Sequence, residues 1–259
     1  MIVFVPLFLC LGLAQLPAAP HRARDPWVFR SVLDKKPRMV TFALSDEMWA
    51  AYDAESCALY KAWKGGVHFD GAVYTTVHGP QPTSAGDAYT LGVEGSPWEI
   101  FVDDKKVETR VQWKGYVFHD GRCTMNYEFG LPDGRWVGVL ETPEFVTAKD
   151  LFDESQREGW SLTERQPGLL RSFLASDLPP DVKITLAVNT DHAVGKFCEV
   201  EERAETVETK TAGGVLAKHS VLHVVLTAAN RSNNLILFFP PIADAKIPPA
   251  PDAHSGGQK

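Results

Sequence analysis

Residues 182–188 read VKITLAV, a near-perfect alternation, and this pattern narrows what the chain can fold into more than any other feature. Successive side chains on a strand point to opposite faces, so such a segment sends one row into a core and the other into water. Most of the sequence is written in the same style. Residues 38–44 (RMVTFAL) alternate, and 48–53, 57–63, 72–77 and 98–102 follow as short strand candidates. Asp103-Asp104 separates 98–102 from 106–113, and Asp120-Gly121, the strongest hairpin signal, separates 116–119 from 122–129. Leu131-Pro132-Asp133-Gly134 makes a further turn before 135–141. In the second half, strands are expected at 160–164, 169–175, 182–189, 196–203, 206–211, 215–228 and 235–239; only 147–157 has helical character. Short strands with turns between them and no βαβ units predict an all-β fold, a large antiparallel β-sandwich.

At 259 residues the chain can bury roughly three quarters of its unfolded surface without staples. The expected organisation is a leader over residues 1–19, one sandwich domain over 25–239, and a proline-rich tail over 240–259 that lacks hydrophobic periodicity. The leader opens with an uncharged apolar run of about 14 residues, shorter than a comfortable bilayer span. It fits a secretory signal, so a periplasmic or secreted product with no stable membrane span is expected. A net charge of -7, with basic residues dispersed, argues against a nucleic-acid partner. Beyond Cys10, the three cysteines Cys57, Cys123 and Cys198 are too widely spaced for a zinc site. His219 and His223 share a strand face but stand about 13 Å apart at strand rise, too far to hold one metal. No metal or cofactor is therefore expected.

The densest chemistry lies in residues 60–82, YKAWKGGVHFDGAVYTTVHGPQP. Trp63 and Lys64 beside two glycines could form an aromatic platform with a cationic donor, and residues 113–116 (WKGY) repeat that mix with Trp113 and Tyr116. The competing reading makes both tryptophans core and the glycines β-bulges. Asp70, Tyr74 and His78 fall at even offsets, where an extended strand would align them, and an Asp–His pair could do acid/base work on a sugar. Equally, Asp70 could fix a turn and His78 lead into Gly79-Pro80. Trp63, Lys64, Asp70, Tyr74, His78, Trp113 and Tyr116 are the candidate ligand-binding residues, and no catalytic residue is assigned.

The segments DPWVFRSVLDKKPRMVTFAL, WAAYDAESCALYKAWKGGVHFDGAVYTTVHGPQP and VQWKGYVFHDGRCTMNYEF resemble the N-terminal module of large exported bacterial proteins that also carry c-type cytochrome domains. The likeness covers residues 25–129, and more loosely extends to 228. It implies a periplasmic β-sandwich with the broad two-sheet shape of mutarotase-like supersandwich domains, and a c-type cytochrome or redox enzyme as partner. No Cys-x-x-Cys-His haem attachment sequence is present here. The expectation is an exported, non-enzymatic accessory or ligand-binding module with a possible carbohydrate ligand. The rival is a carbohydrate-active enzyme, a mutarotase-like epimerase or a lyase, using His78 and Asp70.

Overall fold

Asp103 and Asp104 take φ of 48° and 59°, and Asp120 and Gly121 take 50° and 77°. This positive-φ pair lets a two-residue loop follow the twist of the strands it joins. The computed structural model describes residues 26–69, 71–75, 77, 79–93, 95–199, 201–210 and 216–243, with backbone alone at 201–205, 207–210, 216 and 217. The predicted leader and most of the predicted tail lie outside these.

The chain begins with a meander: β1 (Trp27–Leu33), β2 (Lys36–Ala43), β3 (Trp49–Asp53) and β4 (Ala58–Trp63). A two-stranded ribbon of β5 (Gly66–His68) and β6 (Thr83–Ala85) then leaves the sheet, and β7 (Ala88–Leu91) returns to pair with β4. Next come β8 (Trp98–Val102), β9 (Lys105–Val107), β10 (Arg110–His119), β11 (Arg122–Gly130) and β12 (Trp136–Thr147). Two short helices, α1 (Ala148–Leu151) and α2 (Glu154–Gly159), precede β13 (Pro167–Ser176). The remaining strands are β14 (Val182–Asn189), β15 (Gly195–Cys198), β16 (Glu201–Lys210), β17 (Leu216–Thr227) and β18 (Ser232–Phe238).

The fold is an all-β antiparallel sandwich. A six-stranded sheet in the order β10-β11-β12-β13-β18-β15 shares one hydrophobic core with two five-stranded sheets, β1-β2-β3-β4-β7 and β16-β17-β14-β8-β9. The alternation of the sequence becomes the inner faces. Cys123, Met125, Tyr127 and Phe129 of β11 face in, and Ile184, Leu186 and Val188 of β14 meet them from the opposing layer. A second cluster, built on Trp49, Trp63, Leu33 and Met39, lies apart from this core. Among the described residues no helix is long and apolar enough to cross a membrane.

Several expected strands are redrawn. None of the described residues of 72–77 is in a strand. Ala72 instead donates to the Pro80 carbonyl, with Gly71 and Gly79 at φ of 67° and 65°, so the segment closes into a loop. Residues 160–164 also form no strand, because Trp160 caps α2 and Ser161 turns the chain at φ 57°. Residues 196–203 divide between β15 and β16, which belong to different sheets. Strands β1 and β5 to β7 have no strong alternation and were not expected. The helical segment at 147–157 is present as α1 and α2, yet it divides nothing: β12 and β13 on either side pair directly, from Gly138–Ser176 to Thr147–Pro167.

Candidate functional site

Among the described residues, those singled out in the sequence do not gather in one place. Trp63 is fully buried; its indole N–H donates to the Gly66 carbonyl at 2.9 Å and its ring stacks on Trp49 at 6.0 Å. Lys64 pairs with Glu47 at 2.8 Å and donates to the Ile242 carbonyl at 3.1 Å, so it fastens the chain's exit from the sandwich. Trp113, half-buried, packs on Tyr127 in the main core, away from the Trp63 cluster. Its neighbour Gly115 sits at φ 121° where the β10–β11 register slips, the bulge that the competing reading required. Tyr116 is 39% exposed and meets Phe118 edge-on, while Tyr74 stands 87% exposed in the 71–75 loop. Asp70 and His78 lie outside the described residues. The partner of His219 is Asp191, at 2.6 Å, and His223 is buried.

A charged network that no sequence pattern signals lies at the centre of the sandwich. Glu141 of β12 and Arg171 of β13 both occupy inward positions and are 0% and 2% exposed. Arg171 Nε donates to Glu141 Oε1 at 2.7 Å, and the Tyr127 hydroxyl donates to Oε2 at 3.0 Å. The guanidinium also lies over the rings of Phe173 and Tyr52, 5.1 and 5.7 Å from their centroids. Burial works against its positive charge, but Glu141 outweighs this and holds it firmly protonated. Burial, reinforced by Glu141, pushes the Tyr52 and Tyr127 hydroxyls well above the usual phenol range. The Cys57 thiol is pushed up to about 12, again chiefly by burial, and is therefore no nucleophile near neutral pH. Closed in this way, the network can set how the sheets meet.

A site that could meet a ligand lies on the outer face of the six-stranded sheet. Because side chains alternate, the residues flanking the buried Arg171 and Leu235 point outward and form two parallel rows in register. One row is polar: Thr142 lies opposite Ser172, and Ser172 opposite Asn234. The Asn234 amide donates to Glu199 at 2.8 Å, and the Thr124 hydroxyl extends the row by a 2.7 Å bond to Thr142. The other row runs from Glu144 to Leu170, Ile236 and Phe197, each opposite the next. Arg122 closes its far end by pairing with Glu144 at 2.9 Å.

The wall of this groove is the segment between β12 and β13. Asp153 and Gln156 form a reciprocal capping box that starts α2: Asp153 Oδ1 accepts from the Gln156 N–H, and Gln156 Oε1 from the Asp153 N–H. Phe152 and Leu162 fix the segment to the sheet by packing with Val146, Phe197 and Phe238. Trp160 therefore stands edge-on against the Phe197 ring at 4.5 Å, with 54% of its surface open. The groove encloses about 750 Å³. Its one sequence signal was the Asp-x-x-Gln box just ahead of Trp160; the rows could not be read without the strand order.

Compared with known proteins, the chain matches no family model and no curated protein.

Proposed function

We propose that this protein is an exported, non-enzymatic β-sandwich module that holds a ligand in the outer groove and works beside a c-type cytochrome or related redox protein. The observation that carries the ligand-binding part is the open Trp160 indole above two side-chain rows in register. A flat apolar surface beside a few fixed polar groups is what small-molecule recognition requires. Export is supported by the apolar leader of the sequence, and the redox partner by the resemblance of residues 25–129 to modules attached to c-type cytochromes. The enzymatic alternative depends on His78 and Asp70, which lie outside the described residues.

The test is recovery of the tagged mature chain from envelope extracts of its native host. A c-type haem absorbance that co-purifies with it supports the partnership; its absence removes it. Sugar-epimerase and lyase assays on the same material separate module from enzyme: turnover lost in His78→Ala would replace this reading by the catalytic one.

A further inference from the structure

We infer that the outer groove takes a neutral oligosaccharide, laid across the strands with the C–H face of a sugar ring on Trp160 and its hydroxyls along Ser172, Asn234 and Glu199. This rests on the reading of the chain as a ligand-binding module and names the ligand class.

The groove and a sugar divide their chemistry alike. A sugar ring has an apolar C–H face and a rim of hydroxyls. The rows divide the same way, with Leu170, Ile236 and Phe197 on one line and Ser172 and Asn234 on the next. The charges of the groove cancel. Arg122 and Lys196 are balanced by Glu144 and Glu199 within the lining, so nothing favours an anionic or cationic ligand. Arg122 with Glu144 and Asn234 with Glu199 are already joined, leaving fixed donors and acceptors suited to hydroxyls. The groove crosses from β11 to β15, four strand spacings or about 19 Å, which suits a chain of sugars better than a single one. On the face of a sheet, backbone groups are engaged in ladders, so recognition falls to side-chain hydroxyl, amide and carboxylate groups.

The experiment measures tryptophan fluorescence and calorimetric binding of the mature chain against cellohexaose, laminarihexaose, maltohexaose and an oligogalacturonate. The expected result is binding of at least one neutral hexasaccharide with a change in Trp emission. Trp160→Ala should weaken it about tenfold or more, and Asn234→Ala by several-fold, while Trp160→Phe largely retains it. Trp136→Ala removes an exposed indole outside the groove and should leave binding unchanged. Trp160 is exposed, so its variants should keep the wild-type thermal midpoint, which is measured alongside. Preference for the acidic oligomer, equal binding by Trp160→Ala, or no binding of any neutral hexasaccharide at millimolar concentration would overturn the inference. A peptide-array hit that Trp160→Ala abolishes would also overturn the sugar assignment, yet leave the ligand-binding reading standing.

Discussion

Arg171 and Asp191 show how differently a charge behaves when buried fully and when buried in part. A guanidinium taken wholly out of water is tolerable only because Glu141 and two aromatic faces surround it. Arg171→Leu leaves the Glu141 carboxylate alone in the core and should cost about 3–5 kcal/mol in urea unfolding. The double variant with Glu141→Leu should regain most of that loss, because two apolar side chains replace the pair; a double mutant no more stable than Arg171→Leu would show that the pair is not what matters. Asp191 is nearer the surface. Burial pushes its carboxyl upward, but the Ser220 N–H and the His219 ring outweigh this and hold it below the ordinary carboxylate range. A carboxyl depressed in the folded state stabilises fully above its unfolded value, near about 3.9, and that contribution disappears as pH falls through the folded value. Unfolding midpoints should therefore drop on acidification below about pH 4. Asp191→Asn should flatten that acid limb while lowering the midpoint at pH 7.

At the level of elements, the most legible parts were those whose local chemistry and tertiary role agree. Residues 182–189 were read as a strand to the residue, and the turns at 103–104 and 120–121 hold where Asp and Gly were expected to put them. The missed elements have weaker local signals. β1 has no alternation because its far end is buried on both faces, Ser31 as well as Val32 and Leu33. The loop around Tyr74 carries strand-forming residues, but Gly71 and Pro80 close it. Of the candidate site, Trp63 was visible as chemistry and proves to be packing, whereas Ser172 and Asn234 look unremarkable until β12, β13 and β18 are set side by side. The glycine signal was sound for a different reason than the one it suggested. Gly65, at φ 136°, passes so close to its neighbour that a Cβ would stand 2.1 Å from the Ala85 carbonyl oxygen. Gly65→Ala should therefore destabilise by more than about 1 kcal/mol, through steric clash and backbone strain together. A thermal midpoint matching wild type would remove that packing argument.

For the whole molecule, the order in which strands enter the sheets matters. The first five-stranded sheet is made wholly from residues between Trp27 and Leu91, each strand but the last following its neighbour directly along the chain. The other two sheets are interlaced: β8 waits for β14, and β13 for β18. The inner face of the N-terminal meander, with Val40, Phe42 and Tyr52, shares its core with residues from β8 onward, as late in the chain as Phe239. A nascent chain leaving the ribosome thus presents a quickly formed but half-naked sheet while more than half of its length is still to come. Tyr52 spends that interval without the arginine that later lies over its ring. Chaperone dependence and aggregation in this protein should accordingly be governed by the speed at which the strands after Leu91 arrive.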